Sequence, residues 1–186
     1  MNIVSLFSGI GGLDQGFVHA GYDIIWANDF DKYAVQTYRA NFRSPILLGD
    51  INAIPLESIP DHDVLIGGFP CQPFSMMGGG LGFEDARGTL FFRIAEIIEA
   101  KIQAGRKPRA IVLENVRSLK THNRGKTFSV IANILQKDLG YIMYPMVLNS
   151  ADYGVPQIRN RTFIVCFANH QAAFSVPKEV VLEKKL

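Results

Sequence analysis

The sequence predicts an α/β fold, a mostly parallel twisted sheet with helices on both faces. Three observations predict it. Short apolar runs of strand length alternate with amphipathic stretches of helix length, the first run feeds a glycine turn that opens a helix, and 186 residues suffice for one large core but not two. A single domain spanning 1–186 is expected.

In chain order, apolar Ile3 to Phe7 leads through glycines into amphipathic Leu13 to Ala20, and Ile24 to Ala27 leads through acids into Lys32 to Asn41. This is β-α-β-α. Further strand-like runs are Ile46 to Leu48, Val64 to Ile66, Ala110 to Leu113, Tyr141 to Leu148 and Thr162 to Phe167. Between them, Leu90 to Gln103 and Thr127 to Leu139 repeat apolar residues at three- and four-residue spacing, the period of a helix buried on one side. Glycine-rich Met76 to Gly82 reads as a mobile loop.

Composition excludes several classes. Hydrophobic residues make up 48% and charged residues 19%, and no apolar run approaches membrane-span length. Nor does the N-terminus read as a signal peptide, so a soluble cytoplasmic protein is expected, without membrane contact. Two cysteines make no disulfide framework or Cys-x-x-Cys pair, and the four histidines are scattered, so no metal is assigned. Charge is uneven: Lys101, Arg106, Lys107, Arg109, Arg117, Lys120, Arg124 and Lys126 face Glu114 as the only acid in 101–126. Such a stretch lines a phosphate-binding face or is a solvated helix with its loops.

In a parallel sheet ligands sit at the carboxyl ends of the strands, so each end is a candidate site. The first, Phe7-Ser8-Gly9-Ile10-Gly11-Gly12, lets backbone approach a ligand and presents a helix N-terminus; Asp14 stands where a dinucleotide fingerprint needs glycine, which disfavours a nicotinamide cofactor. The second, Asn28-Asp29-Phe30, offers an acid for ribose hydroxyls and an aromatic ring for an adenine. The third, Gly49-Asp50-Ile51, places a carboxylate for an adenine amine, although Asp29 and Asp50 also suit simple capping. Prolines bracket Cys71 in Gly67-Gly68-Phe69-Pro70-Cys71-Gln72-Pro73 and restrict its backbone, as a reactive cysteine needs; Cys166, in an apolar strand, reads as packing. Glu114, in Leu113-Glu114-Asn115-Val116, is a candidate buried acid directed at the cysteine loop. Strand alternation puts Gln157, Arg159 and Arg161 on one face, suited to a phosphate or base edge.

Taken in order, Phe7 to Gly12, Pro70-Cys71-Gln72, Glu114-Asn115-Val116 and Gln157-Ile158-Arg159-Asn160-Arg161 resemble the motifs of the DNA cytosine-5 methyltransferase family, and Asp85 to Phe91 looks like the family motif that opens the next helix. The resemblance covers residues 3 to 167. It implies a Rossmann-like S-adenosylmethionine-dependent methyltransferase fold, with the cofactor held by Phe7, Gly9, Gly11, Gly12, Asp29, Phe30, Asp50 and Ile51. It implies Cys71 as nucleophile toward carbon 6 of a flipped cytosine, with Glu114, Arg159 and Arg161 completing the catalytic set and the Met76 to Gly82 loop closing over DNA. Double-stranded DNA is the implied partner, in a restriction-modification setting associated with the nucleoid. Family members continue into a target-recognition region and a final segment, so the chain is expected to be a truncated piece or the catalytic part of a split enzyme, with that region supplied by a complementary subunit or by the removed C-terminal part. The rival readings are a transfer-RNA cytosine-5 methyltransferase and a catalytically incompetent cofactor-binding remnant; Phe74-Ser75 favours the DNA type.

Overall fold

The structure, a computed structural model, describes residues 1–70 and 90–180. Seven strands form one sheet in the order β3-β2-β1-β4-β5-β7-β6: β1 (Asn2–Leu6), β2 (Asp23–Asp29), β3 (Ile46–Leu48), β4 (Val64–Gly67), β5 (Ala110–Val116), β6 (Ile142–Asn149) and β7 (Asn160–Phe167). The pairs from β3 to β5 are parallel, and β7 is antiparallel to both β5 and β6. The sheet is thus mostly parallel, with one reversed strand between β5 and the edge. Pro145 sits in that edge strand, β6, where an absent N–H costs least.

Among the described residues four α-helices connect the strands: α1 (Gly12–His19), α2 (Lys32–Asn41), α3 (Leu90–Gln103) and α4 (Lys126–Asn133). Helix α3 buries Phe91, Ile94, Ala95, Ile97, Ile98 and Lys101, an i, i+3, i+4, i+7 pattern, and packs with α4 on a core that includes Val4, Leu6, Leu65, Ile111, Leu113 and Ile164. Each such apolar side chain stabilises the fold by roughly 1.5–3 kcal/mol when fully buried. A second core of Ile3, Ile24, Val35, Tyr38 and Ile66 has Leu13 and Phe17 of α1 against it. Asp31 caps α2 by accepting from the Tyr33 and Ala34 amides at 2.7 and 2.9 Å. The predicted helix to Leu139 changes character on the way: α4 ends at Asn133 and runs on as a π-helical turn, Ile134–Asp138, stopped by Gly140 at φ 67°. The basic stretch is also divided. Lys101 to Arg109 precede β5 and Arg117 to Lys126 follow it, so they lie at opposite ends of the sheet and form no single face.

No helix among the described residues is long and apolar enough to cross a membrane.

Candidate active site

The carboxyl ends of β1, β4 and β5 and the amino end of the antiparallel β7 surround a cavity of about 560 Å³ lined by Phe7, Ser8, Gly12, Asp14, Gly68, Glu114, Arg159, Arg161 and Phe163, among others. A second cavity of about 230 Å³ lies toward β2 and β3, lined by Phe7, Asn28, Phe30, Gly49, Asp50, Ile51, Asn52 and Leu90. Phe7 borders both.

The turn after β1 has left-handed backbone at Phe7 (φ 54°), Gly9 (φ 55°) and Gly11 (φ 91°). At Phe7 that conformation costs an L-residue roughly 1–2 kcal/mol. It is held by hydrogen bonds from Ser8 N to Asn28 O (3.0 Å), Gly11 N to Ser8 O (2.8 Å) and Gly9 N to Asp29 Oδ2 (2.8 Å). At Gly11 a Cβ would run into the Phe42 ring. Asp29 has a structural duty as well. Its other oxygen accepts from Asp31 N at 2.9 Å and it is buried, so the acid clamps the turn.

On the smaller cavity, Phe30 is 73% exposed, an apolar ring open for stacking, while Ile51 is buried. Asp50 caps the short turn Ile51–Ala53, accepting from Asn52 N at 2.9 Å and Asn52 Nδ2 at 3.0 Å; both bonds fall on Oδ1. Two residues that sequence reasoning missed fix this region. Asn28, fully buried, donates to Leu47 O (3.0 Å) and Gly49 O (2.9 Å) and so pins the end of β3 to β2. Arg93 of α3 donates to the carbonyls of Ile51 and Ile54 and pairs with Glu96 at 3.0 Å. Neither role has a local signal, because the accepting carbonyls arrive from other elements.

On the larger cavity, Arg161 Nε and Glu114 Oε1 form an ion pair of 2.8 Å from β7 to β5. Glu114 is therefore a partly buried carboxylate paired with Arg161, which sequence placed in the same set. A Cβ at Gly68 would sit 3.4 Å from Glu114 Oε2, so the segment leading to Cys71 passes directly beside the carboxylate. The buried Asn115 side chain, missed as a functional element, donates to Phe69 O at 2.8 Å and ties that segment to β5. Regular alternation from Gln157 does not hold, because β7 begins only at Asn160. Arg159 and Arg161 nonetheless share the cavity, while Gln157 is exposed outside it, its carbonyl accepting from Ser150 Oγ at 2.6 Å. Cys71, Gln72, the Met76 to Gly82 loop and the Asp85 to Thr89 part of the helix-opening motif lie outside the described residues. Cys166 is fully buried, its thiol pushed up to about 12 by that burial, which fits packing. Among the described residues no group of three or more His, Cys, Asp or Glu is placed to hold a metal ion.

The profile of the family described as C-5 cytosine-specific DNA methylase matches residues 1–185. The type II methyltransferase M.NgoBI of Neisseria gonorrhoeae is 52% identical over 167 residues, which cover 90% of this chain and 50% of that protein. M.NlaX of Neisseria lactamica is 47% identical, covering 96% and 56%. The chain thus spans about half the length of the curated relatives it matches. Among solved structures, a variant of DNMT2 from Spodoptera frugiperda superposes with a TM-score of 0.75 at 24% identity, covering all of this chain and 55% of that one.

Proposed function

Because the chain belongs to the C-5 cytosine-specific DNA methylase family, we propose that residues 1–186 form one catalytic domain that methylates carbon 5 of cytosine in double-stranded DNA, with S-adenosylmethionine as methyl donor. The observation that carries this reading is the Glu114–Arg161 pair at 2.8 Å, set in a cavity that Phe7 separates from a second one and that the Gly68 approach to Cys71 also borders.

The residues fit the cofactor. Phe30 offers an open ring, Asp50 a carboxylate within reach of an amine donor on the same cavity, Ile51 an apolar contact and Phe7 the partition toward the reacting end. Gly9, Gly11, Gly12 and Asp29 shape the turn. S-adenosylmethionine supplies the methyl group as an electrophilic sulfonium substituent. The rest is work for the chain. Cys71 adds as a thiolate to carbon 6 of a flipped cytosine, a role that rests on the family motif. Glu114, held by Arg161, accepts from the protonated ring nitrogen 3, which favours that addition and gives carbon 5 enamine character. After methylation, loss of the carbon 5 proton and expulsion of Cys71 restore the aromatic ring. Arg159, on the same wall, is suited to a phosphate or a base oxygen.

Target reading is proposed to come from a complementary polypeptide equivalent to the half of the relatives that this chain does not match, acting in the cytoplasm on nucleoid DNA. The test is transfer of labelled methyl to DNA and to transfer RNA in parallel, with the chain alone and with that polypeptide added. Transfer to DNA is expected. Cys71→Ser abolishes it while cofactor affinity stays within a few-fold, and DNA carrying 5-fluorocytosine traps an adduct at Cys71. Exclusive transfer to RNA, or an adduct mapped elsewhere, rejects the assignment.

A further inference from the structure

Beneath the glycine turn lies a polar network that the chemistry above does not use. Asp14, in the first turn of α1, is fully buried and so is Ser5 on β1. Ser5 Oγ donates to Asp14 Oδ1 at 2.6 Å, and Ser8 Oγ approaches Ser5 Oγ at 3.0 Å. A hydroxyl has one proton; a carboxylate can only accept. Ser5 gives its proton to Asp14, so toward Ser8 it can only accept, and the order is Ser8 to Ser5 to Asp14, a relay running from the turn into the protein; the Ser8 hydroxyl, also 3.2 Å from Ser5 O and 3.4 Å from Asn28 O, shares its one proton among these acceptors. Among the described residues neither Asp14 Oδ2 nor the buried Tyr38 hydroxyl makes a hydrogen bond of regular geometry, although the two groups lie close enough for each to perturb the other's titration. Burial raises the Asp14 pKa, and the bond from Ser5 and the nearby Tyr38 hydroxyl oppose that rise. Tyr38 in turn stacks on Phe42 at 4.5 Å, the ring that covers Gly11.

Stability alone does not account for an acid at this position. A buried carboxyl with one oxygen unpartnered is costly, and leucine would suit a helix packed on a sheet far better. The relay gives it a purpose, since Ser5, Ser8 and Asp14 line the same cavity as Glu114 and Arg161.

We propose that Asp14 is a positioning residue of the cofactor turn: its carboxyl orients Ser5 and, through it, Ser8, and so keeps the Phe7 to Gly9 backbone in the shape that borders both cavities. This rests on the functional reading above. Left-handed backbone is costly at Phe7, and the relay fixes the next residue, Ser8, from the side chain while the Asn28 carbonyl fixes it from the main chain.

The experiment is calorimetric titration of the 186-residue chain with S-adenosylmethionine, in wild type, Asp14→Ala, Asp14→Asn, Ser5→Ala and the Asp14→Ala/Ser5→Ala pair, each with a thermal melt. Loss of one buried hydrogen bond to an acid corresponds to about ten-fold in affinity. Asp14→Ala is expected to weaken binding by about that factor, and Asp14→Asn, which still accepts from Ser5, to restore it to within about three-fold. The double variant is expected to bind no worse than Asp14→Ala alone, because both substitutions cut one relay. In turnover the cofactor KM rises and the DNA KM does not. Folded Asp14→Ala with wild-type affinity, Asn as damaging as Ala, or losses that multiply in the double variant each overturn the proposal. If Asp14→Ala does not fold, Ser5→Ala decides, and affinity within two-fold of wild type overturns it. A wild-type chain that binds no cofactor removes the functional reading and this proposal with it, whereas binding that ignores both residues removes this proposal alone.

Discussion

At the amino end of β5, cations are engaged with protein groups: Lys101 donates to Ile59 O and pairs with Asp61 at 3.1 Å, Arg106 pairs with the same carboxylate, and Lys107 donates to Leu139 O and Gly140 O at 2.8 and 2.9 Å. Beyond the carboxyl end, about 20 Å away at roughly 3.3 Å per residue, Arg117, Arg124 and Lys126 are exposed, and no ion pair among the described residues engages them. There too stand Glu114 and its partner Arg161. Apart from Arg109, which is exposed and in no ion pair among the described residues, the stretch thus supplies cations that close the fold at one end and cations available to a polyanion at the other. Counting charge along a chain does not separate the two; a seven-residue strand between them does.

The sharpest way to break this contrast is to remove one arginine from each end. Arg161→Ala leaves Glu114 unpaired in the cavity and is expected to lower methyl transfer by about a thousand-fold, the scale of a broken, partly buried pair. Arg106→Ala, an exposed surface pair, is expected to leave turnover unchanged. Comparable losses in single-turnover assays of the two variants would end the distinction.

A smaller effect sharpens it. Neutralising Arg117 or Arg124 is expected to reduce the slope of log affinity for DNA against log salt by about 0.9 per phosphate contact removed, while Arg109→Ala leaves the slope as it was. Salt titrations followed by fluorescence anisotropy measure this directly. Equal slopes for Arg109→Ala and Arg117→Ala would contradict the division of the basic stretch.

The smallest effect belongs to the amino end. His62 is buried, its Nδ1 2.8 Å from Pro60 O and its Nε2 without a partner. Burial lowers its pKa below the usual 6.5, with a further push from Lys101, against opposing contributions from Pro60 O and Asp63. The unfolded chain therefore takes up a proton that the folded chain refuses. The contribution is fully present above about pH 6.5 and is lost as pH falls toward the folded value, by no more than about 1.4 kcal/mol per pH unit. Thermal melts between pH 7 and 5 should show this slope in the wild type and a flatter one in His62→Asn; superimposable profiles would rule it out.

The seven strands and four α-helices were legible because each carries its own period and its own punctuation, such as the glycines before α1 and Asp31 before α2. The candidate residues at the strand ends were legible as types. Their duties were less so. That Asp29 also accepts from Gly9 N, and that Arg161, 47 positions later in the chain, pairs directly with Glu114, is visible only once the turn and β7 are in place. Asn28, Arg93 and Asn115 carry no local mark, because each serves a carbonyl that only tertiary structure brings near. The π-helical turn after α4 likewise leaves the apolar spacing unchanged.

The reversed strand has a consequence for how the molecule is made. Strand β6 leaves the ribosome before β7, yet its sole neighbour in the sheet is β7, and β5 waits for the same partner. Until residues 160–167 emerge, the growing chain holds one finished half-sheet with an open edge at β5 and one unpaired strand tethered beyond it. Insertion of a single segment then closes two ladders at once and brings Arg161 to Glu114 in the same event. The pairing of 110–116 with 161–167 is long-range, so its loop-closure entropy must be met late, and the open edge is exposed to other chains in the meantime. Assembly of the catalytic wall is in this sense a report that the sheet is complete: a nascent chain halted before residue 160 can have built the turn after β1 and the pocket beside Phe30, but it holds a glutamate with nothing to oppose it.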